Sequence, residues 1–79
     1  MKARIHIITK KAVLDPEGKA IKIALNNLGF SNIADIRQGK YIEIDIQSND
    51  YEKTKKDINL MCERLLANTI IEDFEIELV

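Results

Sequence analysis

The hydrophobic periodicity of the chain changes repeatedly between two and 3.6 residues, and the order of these changes restricts the fold more than any motif does. Alternation with a period of two is typical of a half-buried strand, and spacing of three or four residues is typical of an amphipathic helix. Along the 79 residues the order is strand, helix, strand, strand, helix, strand. No linker or repeat interrupts it, so we expect a single domain over residues 1–79.

The first strand and the first helix are the most clearly marked elements. Ile5 and Ile7 alternate with polar neighbours, which predicts a strand over residues 3–9. A helix should follow over about residues 16–28 and carry an apolar stripe, whose members are Ile21, Ala24, Leu25 and Leu28.

The ends of this helix carry capping signals. Asp15 is placed to cap the first turn, and Pro16 suits the first helical position, where no amide is needed. Gly29 is a natural residue to end the helix. Gly18 is unexpected, because a glycine inside a helix costs roughly 1 kcal/mol relative to alanine. Either another part of the backbone approaches Gly18 closely or the glycine is simply tolerated.

Two strands are predicted in the middle of the chain, over residues 33–36 and 41–46. Their apolar residues share a face only if the connecting loop has an odd number of residues. A three-residue loop from Arg37 to Gly39, with Gly39 in the left-handed conformation, satisfies this condition. Arg37 then lies exposed at the tip of a hairpin.

The second helix is predicted over about residues 50–67, with Asn49 and Glu52 as a variant capping box. Phe74, Ile76 and Leu78 alternate with acidic residues and predict a last strand. The resulting β-α-β-β-α-β order is that of the α+β, ferredoxin-like split β-α-β fold. We expect a two-layer structure with an antiparallel sheet and both helices on one face.

The charges favour one strand order. Outward residues of the third and fourth strands are acidic, whereas Arg4 and His6 on the first strand are basic. Placing the first strand between the other two turns repulsion into attraction, which gives the order 4-1-3-2. The outer sheet face then mixes apolar and charged side chains. It is either a dimer or partner surface or an ordinary solvated sheet.

The size and composition predict an oligomer. A chain of 79 residues buries only about 60–65% of its unfolded surface, and its single cysteine excludes an internal disulfide. The 12 basic and 13 acidic residues argue against nucleic-acid binding through a broad basic face. No apolar run is long enough to span a membrane, and no signal peptide is evident, so we expect a cytoplasmic protein.

The residue types give no expectation of a catalytic, cofactor-binding or metal site. His6 is interpreted as a surface residue on a strand, and Cys62 as a buried thiol on the apolar side of the second helix. The strand carboxylates are interpreted as a solvated charge ladder. An RNA-binding module would need aromatics on the central strands, and a metallochaperone would need paired cysteines. A small-molecule-sensing domain of the ACT type stays open.

Three motifs together resemble the PurS family, the small subunit of phosphoribosylformylglycinamidine (FGAM) synthase. They are Leu14-Asp15-Pro16-x-Gly18, Leu28-Gly29-Phe30 and Arg37-x-Gly39-Lys40, and the match runs along essentially the whole chain. Asp15, Pro16, Gly18 and Gly29 therefore belong to a structural motif of that family.

The resemblance implies a subunit without catalytic residues in an ATP-dependent ligase complex of purine biosynthesis. Such a subunit would associate with itself and join a glutaminase subunit to a large synthetase subunit, assisting ammonia transfer between them. ATP and Mg²⁺ would be used by the complex and not bound by this chain. Arg37, Gly39 and Lys40 are the predicted partner contacts, because a charged hairpin tip has no need of its charges for folding.

Overall fold

The alternating and helical segments form three strands and two helices in the order β-α-β-α-β. The computed structural model describes all of residues 1–79. Its elements are β1 (Lys2–Thr9), α1 (Pro16–Asn27), β2 (Gly39–Asp45), α2 (Tyr51–Met61) and β3 (Glu72–Leu78). A π-helical turn, Cys62–Leu66, continues α2. No helix has the length and apolar character that crossing a membrane requires.

The three strands form one antiparallel sheet with β1 in the centre, between β2 and β3. Ile5 pairs with Ile42 on one side and with Ile76 on the other, so these isoleucines share a face. Arg4 lies between Glu43 and Glu77 in the same register. The predicted central position of the first strand is therefore confirmed, and the register brings its basic residues beside the acidic residues of both neighbours.

The core lies between one face of this sheet and α2. Ala3, Ile5 and Ile7 on β1 are buried against Ile58 of α2 and Cys62 of the π-helical turn that continues it. Alternate residues of the two outer strands, together with Ile46 just after β2, pack around this centre. The half-buried members are Ile42, Ile44, Ile46, Phe74, Ile76 and Leu78.

The ferredoxin-like prediction is wrong in one strand. Residues 33–36 form no strand and pair with no part of the sheet, so the order 4-1-3-2 reduces to three strands. The expected loop Arg37-Gln38-Gly39 is not a hairpin turn, because β2 begins at Gly39 itself. The chain runs from α1 directly into β2, held at Gln38 by hydrogen bonds to Thr9 and Asp15.

The second correction concerns α1, which was expected to cover the sheet beside α2. None of the four residues of its apolar stripe is buried, and no side chain of the helix belongs to the core. Leu28 is 72% exposed. The molecule is consequently elongated, with extents of 50 × 23 × 15 Å.

The helix ends follow the capping predictions with one exception. Asp15 caps α1 and Pro16 is its first residue. Gly29, with φ of 102°, ends it in a Schellman motif, in which Phe30 N–H donates to the Leu25 carbonyl oxygen at 3.0 Å. The second helix begins at Tyr51, so Asp50 caps it in place of Asn49 and accepts from the Lys53 N–H at 3.0 Å.

Candidate functional site

The residues of two of the three motifs, the one around Asp15 and the one that begins at Arg37, converge where β1 ends, α1 begins and β2 starts, whereas Leu28-Gly29-Phe30 lies at the other end of α1. Asp15 is the centre of this arrangement, because each of its two carboxylate oxygens accepts a different backbone N–H. Oδ1 accepts from Gly18 at 3.0 Å, and Oδ2 accepts from Gln38 at 2.7 Å. We call this arrangement the Asp15 junction; its members are Thr9, Asp15, Gly18, Ile36, Arg37 and Gln38.

The two hydrogen bonds also set the ionisation of Asp15. The N–H of Gln38, and then that of Gly18, stabilise the charged carboxylate and lower the pKa of Asp15 below its ordinary value. The carboxylate thus links the start of α1 to the segment entering β2. The sequence pattern predicts the hydrogen bond from Gly18, because it is a local capping bond. It gives no signal for the bond from Gln38, which is 23 positions away from Asp15.

Gly18 is the one buried residue of α1, and the junction explains why it is a glycine. A Cβ atom at this position would collide with the backbone carbonyl oxygen of Ile36. The close approach of another backbone segment, which the sequence left as one of two options, is therefore the reason for this glycine.

Arg37 belongs to the same junction and is not at a protruding tip. Its side chain is only 26% exposed, and its Nη1 donates to the Thr9 carbonyl oxygen at 3.1 Å. Its Nε lies 3.8 Å from a carboxylate oxygen of Asp35. Arg37 therefore has a structural role in addition to any partner contact.

Gly39 and Lys40 lie at the first two positions of β2, opposite Ile8 and Ile7. The backbone of Gly39 passes so close to the Ile7 carbonyl oxygen that a Cβ atom would collide with it. Lys40 is exposed and makes no ion pair. Among the three predicted contact residues, Lys40 is thus the one whose charge the fold does not use.

The chain has two open concave surfaces, one beside each helix. A cleft of about 850 Å³ lies between α1 and residues 30–37, and its lining includes Ile23, Phe30 and Arg37. A groove of about 420 Å³ lies beside α2, lined by Ile44 and by exposed apolar side chains. Those exposed side chains are Leu60, Met61 and Leu65.

The individual candidate residues have ordinary surroundings. Cys62 is buried, and this burial raises the pKa of its thiol, as expected for a core cysteine. His6 is exposed and packs against Tyr41, with ring centroids 4.8 Å apart and the rings tilted by 42°. An ACT-like ligand would sit at the edge between the first strand and first helix, where the Asp15 carboxylate already engages the free amides.

Comparison with known proteins identifies the family. The PurS family model, described as phosphoribosylformylglycinamidine (FGAM) synthase, matches residues 2–79. The PurS subunit of this synthase from Methanocaldococcus jannaschii is 45% identical over 76 residues, which are 96% of this chain and 92% of that protein. PurS of Bacillus subtilis superposes with a TM-score of 0.81 at 40% identity, covering 96% of this chain and 94% of the other.

A third relative comes from a larger assembly. A chain in the structure of PurLQS from Thermotoga maritima superposes with a TM-score of 0.84 at 28% identity. The match covers 96% of this chain and 93% of that one. The family model, the sequence identities and the superpositions cover nearly the whole chain, and the chain therefore belongs to the PurS family of FGAM synthase subunits.

Proposed function

We propose that the chain is the non-catalytic small subunit of FGAM synthase in purine biosynthesis, joining a glutaminase subunit to the ATP-dependent synthetase subunit. The observation that carries this proposal is the end-to-end likeness to a chain of the PurLQS structure from T. maritima. In the proposed complex the ATP and Mg²⁺ are bound by the synthetase and not by this chain. We place the assembly in the cytoplasm.

Ammonia transfer gives such a subunit a physical purpose. Free ammonia is largely protonated near neutral pH, and it diffuses away once it is released. Holding the two active sites together raises the effective concentration of the reactive species at the synthetase. The small subunit contributes by fixing distance and orientation, which requires binding surfaces and no reactive side chain.

The surface area supports self-association as part of the function. The chain exposes 6005 Å², whereas a compact monomer of this length exposes about 4,900 Å². The excess of roughly 1,100 Å² is comparable to the area of about 800 Å² that each partner buries in a stable interface. Only eight of the 79 residues are buried, so the isolated chain has a small core.

The open surfaces suggest how two copies pair. No residue of the apolar stripe of α1 is buried within the chain, and Ala24 and Leu28 are exposed. The groove beside α2 is where a second helix would cover the sheet. We propose that α1 of each copy occupies the groove of the other. Such a two-fold arrangement is self-complementary and leaves both stripes covered.

The predicted partner contacts stay part of the proposal in modified form. Lys40 is exposed and unpaired, so it is the residue of the three best placed to contact a partner subunit. Arg37 and Gly39 would act mainly by holding the start of β2 in place. Arg37 donates a hydrogen bond to the Thr9 carbonyl oxygen, and Gly39 allows its backbone to lie close to the Ile7 carbonyl oxygen.

A bridging measurement tests the proposal. Purified glutaminase and synthetase subunits are mixed with and without this chain, in the presence of glutamine and ATP·Mg²⁺, and are analysed by sedimentation velocity. We expect the glutaminase to sediment with the synthetase only when the chain is present. Equal co-sedimentation in its absence would overturn the bridging function.

A further inference from the structure

The face of the sheet opposite α2 is uncovered in this chain. We call it the outer sheet face. It carries every second residue of the three strands, and the packed helix lies entirely on the other side. Its members are Lys2, Arg4, His6, Ile8, Tyr41, Glu43, Asp45, Asp73, Glu75 and Glu77.

The charge of this face is predominantly negative. Five carboxylates stand on it, against the cations Lys2 and Arg4. Arg4 pairs with Glu77 at 3.1 Å and Lys2 lies 3.6 Å from Glu43, which leaves Asp45 and Glu75 without an ion pair. Lys10, beyond the end of β1, lies 3.9 Å from Asp73. The face therefore has an acidic excess that the rest of the chain offsets, since the total net charge is −1.

An aromatic side chain stands on the edge strand β2 of this acidic face. Tyr41 is 47% exposed, packs against His6 with the rings tilted by 42°, and donates its hydroxyl to Glu43 Oε1 at 2.8 Å. Next to it Ile8 is 40% exposed, because Gly39 opposite has no side chain to cover it. A tyrosine held on two sides loses little conformational entropy on binding, which is the property of an interface anchor.

A second copy of the chain does not fit this face. Pairing two copies through it would place one set of carboxylates against another, and like charges across an interface cost free energy. The apolar stripe of α1 and the groove beside α2 provide a better surface for self-association. The outer sheet face is consequently left for a partner of the opposite charge.

We propose that the outer sheet face docks a basic protein surface, one that presents arginine or lysine side chains around an apolar contact for Tyr41 and Ile8. This inference rests on the proposed function, and it identifies the partner as a subunit of the synthase complex with such a surface. The carboxylates steer the encounter and Tyr41 anchors the bound state.

The test compares two double variants with the same loss of charge. Asp45→Asn with Glu75→Gln neutralises the unpaired carboxylates of the outer sheet face. The control, Glu52→Gln with Glu63→Gln, neutralises two exposed carboxylates on α2 and the π-helical turn that follows it. Association with the isolated synthetase and glutaminase subunits is measured by surface plasmon resonance at low and at physiological ionic strength.

We expect the first variant to bind one of these subunits at least about 5-fold more slowly at low ionic strength, with a smaller difference at higher salt. The control should stay within about 2-fold of the wild type. Tyr41→Ala should raise the Kd for the same subunit at least about 10-fold. Sedimentation should show that all three variants self-associate as the wild type does.

The outcomes separate this inference from the proposed function. If the wild type binds a subunit and the face variants bind it equally well, the outer sheet face is not the docking site. Loss of self-association in the face variants would assign the face to a second copy and also overturn the inference. If the wild type binds neither subunit, the proposed function itself fails. Should Tyr41→Ala not fold, the double variant decides, since its two substitutions are on exposed side chains.

Discussion

At the scale of single residues, one carboxylate organises the region where three elements meet. Asp15 caps α1 and also holds Gln38 at the entrance to β2, so one side chain fixes two segments that are distant in sequence. Gly18 makes this contact possible by allowing the Ile36 carbonyl oxygen to approach. The Asp-Pro-x-Gly motif is thus a structural device that positions α1 relative to the sheet.

Gly18→Ala tests the close approach directly. A methyl group placed against the Ile36 carbonyl oxygen costs about 2–3 kcal/mol, the upper part of the range for overpacking, because a backbone atom cannot move aside as a flexible side chain can. This cost exceeds the gain of about 1 kcal/mol that alanine brings to a helix. We expect a net loss of about 1–2 kcal/mol in the free energy of unfolding, measured by urea denaturation at one protein concentration. Lys19→Ala, at the exposed neighbouring position, is the control and should be nearly neutral. A Gly18→Ala variant as stable as the wild type would refute the contact.

Asp15→Asn tests the double hydrogen bond through its pH dependence. Because the pKa of Asp15 is lowered in the folded chain, the ionised carboxylate contributes stability above its unfolded pKa of about 3.8. That contribution is lost as the pH falls through the lower folded value. The Tm of Asp15→Asn should be lower than that of the wild type by roughly 5 °C at pH 7, and the difference should shrink toward pH 3.

Asp45→Asn is the matched control for this experiment, because it removes the same charge from an exposed side chain that makes no hydrogen bond. Thermal melts of the three proteins between pH 3 and pH 7 give the comparison. A difference between the wild type and Asp15→Asn that is the same at both pH values would contradict the role assigned to the carboxylate.

At the scale of elements, local sequence patterns were sufficient to predict the strands at both ends of the chain and the two helices. The strands at both ends of the chain were predictable because alternation matches a sheet with one buried face. Residues 33–36 also have strand-like composition, yet they form no strand. Long-range bonds from Thr9 and Asp15 hold the following residues beside β1 and leave no room for a hairpin turn. Hydrophobic periodicity does not predict such long-range hydrogen bonds.

The apolar stripe of α1 shows a second property that the sequence does not predict, namely the surface against which a helix packs. Ile21, Leu25 and Leu28 correctly predicted an amphipathic helix, but the pattern does not say whether its apolar side packs within the chain or on another molecule. The candidate site was affected in the same way. The charge of Arg37 was visible in the sequence, whereas its bond to the Thr9 carbonyl oxygen was not.

Leu28→Lys tests whether this stripe is a self-association surface. A charge at a side chain that is 72% exposed leaves the folded monomer intact, but it would be buried in the proposed dimer. We expect the dissociation constant of the dimer to rise at least about 10-fold, measured by sedimentation equilibrium. Asn26→Lys, on another side of the helix, should remain within about 2-fold of the wild type. Equal effects of the two variants would place the interface elsewhere.

At the scale of the whole molecule, the chain is more extended than a compact globular protein of the same length. The radius of gyration is 16.1 Å, whereas a compact chain of this length has about 12 Å. One end is a sheet with an acidic outer face, and the other is a helix with an uncovered apolar stripe. Two different surfaces on one small chain suit a subunit that holds other proteins together.

The proposed function matches this division of surfaces. The proposed self-association through α1 would leave two outer sheet faces free on each dimer. A dimer of this kind can hold larger subunits in a fixed relation without contributing a reactive group. The distance over which ammonia must travel is then set by packing and not by diffusion through solvent.

The most direct test is the ratio of glutamine-dependent to ammonia-dependent FGAM formation by the reconstituted synthetase and glutaminase, with and without this chain. We expect omission of the chain to lower the glutamine-dependent rate at least about 10-fold, while the rate with added ammonia changes by less than about 2-fold. Equal glutamine-dependent rates with and without the chain would contradict this expectation.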